Sequence, residues 1–371
     1  MAGLIVHEWI AKAGGSEKVV EAMASTFPNA DLFCLWNERD SDFSGRTIRE
    51  STLAATPLRG HKALSLPFMP LIWRNLRNHR DYEWVLASSH LFAHQAKFPR
   101  RSEMPKFVYV HTPARYIWTP ELDIRGSNPL ARISAPFFRA LDHKFAQDQS
   151  AIAANSQYIR DRIASTWNRD SVVIYPPVDV DAIQSVDWES RLTASDEAII
   201  DSLPADFVLG ASRFVPYKRL DSVISAGEEN DLPVVLAGSG PEERRLREIA
   251  AKARVPVHFV VHPSDALLFT LYKIALVYIF PPVEDFGIMP VEAMAAGARV
   301  VVNRTGGARE SVLNGVTGRH TESFVGEEIR QAVQGAASLS RQASRLRAAE
   351  FSVGQFQSNL REWVSIDNVG A

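Results

Sequence analysis

Cysteine is almost missing from this chain of 371 residues. Cys34, set in the apolar run DLFCLW, is the single one, so neither a disulfide framework nor a cysteine-based metal site can form, and a reducing compartment is expected. Apolar runs of about 18 residues, the length needed to cross a bilayer, do not occur. The opening stretch MAGLIVHEWIAKAGG has neither a charged leader nor a long apolar region, and a cytosolic protein is expected. Charge of one sign is not in excess: 41 Lys and Arg stand against 43 Asp and Glu. With that balance and no recognisable nucleic-acid module, nucleic acid is not an expected partner. No low-complexity segment or clear internal repeat is present. The glycines in AKAGGSEK do not supply the G-x-G-x-x-G spacing of a dinucleotide fingerprint.

What is present is a βαβ rhythm. LIVHEW, DLFCLW, WVLAS, FVYVHT, SAIAANS and SVVIYPPVD read as strands, with a helix from about Ser16 to Phe27 after the first. A second series follows in FVLGAS, PVVLAG, VHFVV, LVYIFPP and RVVVN. Alternation of this kind implies parallel sheets covered by helices, and the chain is long enough for two cores. The fold class expected is therefore α/β with two Rossmann-like domains facing across a cleft, the boundary falling after Pro176 and Pro177 and the polar stretch 179–201 serving as linker and first helix. Ligands in such folds bind beyond the carboxyl ends of the strands.

The richest segment for chemistry is PPVEDFGIMPVEAMAAG, Pro281 to Gly297. Pro281 and Pro282 stop a buried strand, leaving Glu284 in the loop at its carboxyl end. Pro290 suits the first position of a helix ending at Gly297, which puts Glu292 in the first turn. Backbone N–H groups around Phe286, Gly287 and Ile288, with the positive end of the helix dipole, suit an anion. Two acceptor-only carboxylates beside an anion site suit hydroxyl groups, and a nucleotide-sugar meets both demands. The plainer alternative is that both glutamates serve the helix start. Upstream, Arg213 and Lys218 in GASRFVPYKRLDSVI follow a strand and precede a helix, and two cations there suit a diphosphate.

Glu284 and Glu292 resemble the E-x7-E motif of retaining GT-B glycosyltransferases of family 4, and Arg213 with Lys218 resemble that family's donor-diphosphate pair. The turn from Gly238 to Pro241 and the residues Gly306, Gly307 and Glu310 stand at the corresponding places. VHTPARYIW, RFVPYKR and EDFGIMPVEAMAAG are similar to bacterial mannosyltransferases that build O-antigen, capsule or lipid-linked glycans. The resemblance implies an N-terminal acceptor-binding domain over 1–180, a donor-binding domain over 181–352, and a C-terminal helix over 353–371 that returns to the first domain. It implies transfer of a hexose, mannose from GDP-mannose being favoured over a UDP-sugar, to a hydroxyl of a glycan or lipid-linked acceptor with retention and without a metal or other cofactor. His111, Arg213, Lys218 and Glu284 are the implied catalytic residues. Donor contacts fall to Gly14, Gly15, Arg213, Lys218, Gly238, Ser239, Gly240, Glu284, Asp285, Phe286, Gly287, Ile288 and Glu292. His111 is implied to lie near the transferred sugar, and Arg115, Tyr116 and Trp118 either line the acceptor pocket or pack their loop. A GT-B epimerase and a non-catalytic nucleotide-sugar sensor are the other readings.

Two further stretches draw attention. Asp179-Val180-Asp181 has the look of a metal-binding D-x-D but follows the Pro-Pro hinge, where no metal is expected. Residues 59–106 carry nine Lys and Arg against three Asp and Glu. Within them LSLPFMPLIWRNLRNHR sets Arg74, Arg77 and Arg80 about one helical turn apart. This suits peripheral contact with an anionic membrane, the inner face of the plasma membrane, or a lipid-pyrophosphate acceptor; equally it suits a core helix with a solvated basic face.

Overall fold

The computed structural model describes residues 2–12, 14–39, 48–101, 103–119, 129–148 and 150–365, with the side chains of 116 and 129–134 outside that set. The chain divides into two compact units, Met1–Pro177 with Gly354–Ala371, and Val178–Val353. Stretch 179–201, expected as linker and first helix, belongs to the second unit and forms the helices Val180–Ser185 and Ala194–Asp201. The second of these is started by a reciprocal capping box between Thr193 and Asp196.

In the first unit the strands are β1 (Gly3–His7), β2 (Asp31–Cys34), β3 (Ile48–Glu50), β4 (Trp84–Ser89), β5 (Lys106–Val110), β6 (Ala151–Ala154) and β7 (Val172–Val173), in the order β3-β2-β1-β4-β5-β6-β7. Every pairing is parallel. The second unit holds β8 (Val208–Ala211), β9 (Val234–Gly238), β10 (Val257–Val261), β11 (Val277–Phe280), β12 (Val300–Asn303) and β13 (Gly318–Thr321), in the order β10-β9-β8-β11-β12-β13, again all parallel. Helices cover both faces of a parallel sheet, which is why β4, β5, β8 and β11 are buried along their whole length and are largely apolar, with Ser88 and Ser89 at the end of β4 and Lys106 at the start of β5. The strand order reverses between β1 and β4 in one sheet and between β8 and β11 in the other. At such a reversal the flanking crossovers leave on opposite faces, so a crevice opens beyond the carboxyl ends of those two strands.

The helix Val353–Trp363 packs on the first unit: Phe356 lies 5.8 Å from Tyr109 and Trp363 lies 5.4 Å from Phe107, ring centre to ring centre. No helix among the described residues is long and apolar enough to cross a membrane.

The first helix runs Gly15–Thr26, within one residue of the expected span, with Gly14 at the cap. Two local expectations are corrected. The helix after β11 runs Ile288–Ala295, capped by Gly287, which moves Glu292 from the first turn into the second. The stretch from Leu64 to Arg80 is not one amphipathic helix. Pro67 and Pro70 divide it into Lys62–Ser65 and Met69–Trp73, and Arg77 and Arg80 lie beyond the second helix. Arg74 donates to Asp148 Oδ2 at 2.9 Å and covers the Phe145 ring at 4.0 Å, while Arg80 lies 3.6 Å from Asp31. Arg77 forms no ion pair among the described residues.

One buried carboxyl stands out in the first core. Asp142, fully buried on the helix Pro129–Ala146, accepts the indole N–H groups of Trp118 and Trp167 at 2.7 Å each. Burial outweighs these bonds and pushes its pKa up to about 7. A folded-state value above the unfolded one means that folding favours the neutral acid; the contribution is complete below the ordinary carboxylate value and is lost as pH rises through about 7. Asp142→Asn, which stays neutral, removes this dependence. The unmutated protein should gain melting temperature relative to the variant as pH falls from about 7.5 to about 5.5, and a pH-independent difference between the two melting curves would count against the assignment.

Candidate functional site

The carboxyl end of β8 runs directly into Ser212 and Arg213, and the following turn of 3-10 helix, Pro216–Lys218, carries the second cation. Arg213 is exposed and donates from Nη2 to the Tyr217 hydroxyl at 2.8 Å. Lys218 is buried, at 6% exposure, with its ammonium 5.3 Å from the Phe280 ring centre. Its Nζ donates to Glu284 Oε1 across the reversal point of the sheet. The two halves of the sequence motif are thus joined: the lysine from the end of β8 and the glutamate from the end of β11 form one ion pair. Arg219, next in the chain, is exposed and lies over Phe324.

Arg213 and Lys218 border a cavity of about 320 Å³ also lined by Ser212, Gly238, Ser239 and His262, with Met289 from the helix after β11. Gly238 makes room for it. With φ at +138° and a Cβ position 1.9 Å from the Ser212 carbonyl oxygen, no side chain fits at that point, and the strand end can pass close beside its neighbour. Gly240 follows in the same turn.

The loop bearing Glu284 is braced from β12. Asn303 Nδ2 donates to Pro281 O at 3.1 Å, and the Gly307 N–H donates to Glu284 O at 2.7 Å. A Cβ on Gly307 would fall 2.1 Å from Asp285 O, so this brace depends on glycine. Asp285 and Phe286 are buried, the Phe286 ring packing at 5.6 Å from Phe351, so the ring belongs to the core and the backbone is the part of Phe286 open to a ligand role. Gly287, at φ +91°, caps the helix without a side-chain bond, which leaves the first N–H groups around Ile288 for another acceptor. Glu292 is half-buried. Its charge adds to burial in raising the phenol pKa values of Tyr272 and Tyr278, both fully buried beneath it.

At the β1–β4 reversal of the first unit a second polar cluster forms, of which sequence reasoning found only His111. Glu8, wholly buried, accepts from the N–H groups of Leu91 and Ala93 at 2.9 Å each and from Ser89 Oγ at 3.1 Å, fixing the loop after β4. The His90 ring lies beside it, Nδ1 3.2 Å from Glu8 Oε2. His7, 2% exposed, reaches Ser88, and Ser88 Oγ lies 2.8 Å from His111 Nε2. Burial, then the neighbouring His7 and His90, hold the His111 pKa well below the usual range. His7, Glu8 and His90 place ligand-type atoms within 4.8 Å of one another, the one such group among the described residues. The Glu8 carboxylate is already occupied by the loop N–H groups, however, which is the work of an anchor. The signal that could have found this cluster is polar sequence at the ends of apolar strands: His-Glu after LIV, and Ser-Ser-His after WVLA.

Gly14 and Gly15 lie beside it. Glu17, 3% exposed, accepts from Ala11 N–H at 3.0 Å and Ser16 Oγ at 2.8 Å. Burial raises its pKa, but His7 and these donors outweigh that and hold it below the usual carboxylate value. A Cβ on Gly14 would meet the Glu17 carboxylate at 2.2 Å. Arg115 and Trp118 bound a short helix; Trp118 is committed to Asp142, and the Tyr116 side chain lies outside the described residues.

Comparison with known proteins agrees with this architecture. The model described as Glycosyltransferase Family 4 matches residues 13–182, and that described as Glycosyl transferases group 1 matches 200–350. The chain belongs to the family 4 glycosyltransferases of GT-B fold. A relative from Mycolicibacterium smegmatis, named GDP-mannose-dependent alpha-(1-6)-phosphatidylinositol monomannoside mannosyltransferase, is 30% identical over 200 residues, 49% of this chain and 52% of its own. A D-inositol 3-phosphate glycosyltransferase from Mycolicibacterium paratuberculosis is 29% identical over 48% of this chain and 44% of its own. The chain thus spans about half the length of the curated relatives it matches. Among solved structures, Anabaena HepE in complex with UDP superposes with a TM-score of 0.70 at 20% identity, covering 98% of this chain and 99% of that one. Sucrose-phosphate synthase from Thermosynechococcus elongatus does so with a TM-score of 0.69 at 15% identity and 98% coverage of both. In this glycosyltransferase, Gly307→Ala should displace the Asp285 carbonyl and loosen Glu284. Calorimetric titration with GDP and UDP should show weakening by about tenfold or more for whichever nucleotide binds, alongside a lowered melting temperature, and unchanged affinity would remove the brace from the site.

Proposed function

We propose that the protein transfers a hexose from a nucleotide-sugar, mannose from GDP-mannose, to a hydroxyl of a glycan or lipid-linked acceptor with retention of configuration. The observation that carries this reading is that Arg213 and Lys218 line one cavity while Lys218 is paired with Glu284. Lys218 and Arg213 take the diphosphate, and Glu284, already oriented by Lys218, accepts hydroxyl protons of the sugar; Glu292 takes the ribose. The reacting bond is the one between the anomeric carbon and the diphosphate oxygen. As it breaks, negative charge grows on the leaving oxygen, and the lysine, the arginine and the free N–H groups around Ile288 stabilise it more than they stabilise the bound donor. The departing phosphate oxygen accepts the acceptor hydroxyl's proton as that oxygen attacks the same face. The charge a divalent ion would supply comes in this scheme from the two side chains, so metal-independent turnover is part of the proposal. His111, held neutral, is assigned to an oxygen of the transferred sugar.

The GDP-mannose preference follows the names of the sequence relatives; the HepE complexes with UDP and UDP-glucose favour a UDP-sugar as the second reading. A thermal-shift series with GDP, UDP, ADP and their sugars decides between them, because the true donor raises the melting temperature. With that donor, Lys218→Ala should lower kcat by about two to three orders of magnitude while the folded state persists, and near-normal turnover would refute the role of the lysine. Lys218→Ala combined with Glu284→Gln controls for the uncompensated carboxylate that the single change leaves.

We further propose that the acceptor is met at an anionic membrane surface. The support differs from the three arginines of the sequence reading: Leu64 and Leu71, on two short helices, and Phe68, in the turn between them, are 64%, 64% and 48% exposed, and Arg77 beyond them has no ion pair among the described residues. Apolar side chains inserted at the headgroup level, with a nearby cation on anionic lipid, give weak, reversible attachment. The protein should float with phosphatidylglycerol vesicles and lose most of that binding on changing the three apolar residues to serine. Failure of the unmutated protein to float ends the idea.

A further inference from the structure

The hydrogen positions of a buried relay in the first unit follow from its heavy atoms, and they define what His111 can do. His7 Nδ1 lies 3.1 Å from the Ser88 carbonyl oxygen and 3.1 Å from Ser88 Oγ. A carbonyl oxygen only accepts, so His7 Nδ1 carries a hydrogen, whether the ring is neutral or charged. Its Nε2 is buried without a partner. Were that nitrogen the protonated one, a donor would be buried unpaired and Nδ1 would face the Ser88 carbonyl lone pair to lone pair. Ser88 Oγ therefore receives a share of the His7 N–H. Ser88 is completely buried, and its hydroxyl hydrogen has one remaining acceptor in reach, His111 Nε2 at 2.8 Å. The opposite orientation, with His111 Nε2 donating, would leave the serine hydrogen with nowhere to go.

We infer that Ser88 and His7 are positioning residues that lock His111 as its Nδ1–H tautomer, making it a hydrogen-bond donor to a substrate oxygen and denying it the role of proton acceptor. His111 is half-buried, its backbone N–H is held by Ser89 O at 2.8 Å, and its Nδ1 has no hydrogen-bond partner among the described residues. The depressed pKa of the ring agrees with a neutral imidazole at work. Glu8 completes the device from behind by fixing the loop that begins at Ser89. The chemical class recognised is an oxygen with an open lone pair; with the transferred sugar in that position, which rests on the function proposed above, it is a sugar hydroxyl oxygen. The N–H dipole then faces oxygen as charge develops on the ring, while no imidazole lone pair is available to remove a proton from the acceptor.

Histidine-selective 15N labelling tests the relay directly, since the two ring nitrogens differ strongly in chemical shift between tautomers. The unmutated protein should show His111 as Nδ1–H at neutral pH. Ser88→Ala should release it to the Nε2–H form or a mixture, Ser88→Thr should keep the original tautomer, and His7→Asn, whose amide N–H replaces Nδ1–H, should keep it as well. With GDP-mannose as probe, Ser88→Ala should lower kcat about tenfold with little change in KM, and Ser88→Thr should restore it. Finding His111 as Nε2–H in the unmutated protein, or an unchanged tautomer in Ser88→Ala, overturns the inference. Nδ1–H in a protein that binds no nucleotide-sugar would leave the relay standing and overturn the proposed function instead.

Discussion

The constraint on which the rest depends is the right-handed crossover between parallel strands. Because each connection must leave on one face and return with one hand, a sheet built outward in both directions from a central pair has its connections diverge where the order reverses. In this chain that happens twice, between β1 and β4 and between β8 and β11. Each reversal leaves the carboxyl ends of two central strands uncovered, and those ends are where the apolar runs stop and the polar residues begin. His7 and Ser88 come from one pair of strand ends, Lys218 and Glu284 from loops at the other. Topology, not local preference, brings together residues more than sixty positions apart.

The two crevices meet opposite electrostatic demands. In the second unit a buried lysine would pay a large desolvation cost alone, and Glu284 offsets it without a ligand present. Such a pair is poised: a diphosphate can share the lysine while the carboxylate turns its spare lone pairs to hydroxyl groups. In the first unit the reverse holds. Three imidazoles stand with ring centres 5.3 to 6.3 Å apart, and burying more than one as a cation would be costly, so His111 is kept neutral and ordered by a serine.

The strands buried on both faces were legible because a parallel sheet under helices leaves no polar side to alternate with. β3 (IRE) and β13 (GRHT) were not, since each lies at a sheet edge, pairs on one side only and needs no apolar run. The helix start after β11 was misplaced because its cap, Gly287, carries no side-chain signal. The basic segment failed for a different reason: spacing alone suggested a helix, while Pro67 and Pro70 broke it and Arg74 and Arg80 pair with Asp148 and Asp31. Of the candidate site, the second unit's residues were legible as chemical types at a motif spacing. The first unit's were not, because Glu8, Ser88 and His90 gain meaning only from strand register.

That contrast has a consequence for how the molecule can vary. The charged pair of the second unit rests on a glycine brace of near-zero tolerance, at Gly307 and Gly238, because backbone from adjacent strand ends passes where a Cβ would lie. The relay of the first unit rests instead on side-chain hydrogens, and a hydroxyl or amide of suitable reach can replace its members without moving the backbone. The Lys218–Glu284 pair is therefore fixed by backbone geometry, and the orientation of His111 by exchangeable side chains. A change at Ser88 or His7 can therefore re-orient His111 alone and leave the arrangement of Arg213 and Lys218 untouched, since these belong to a different sheet.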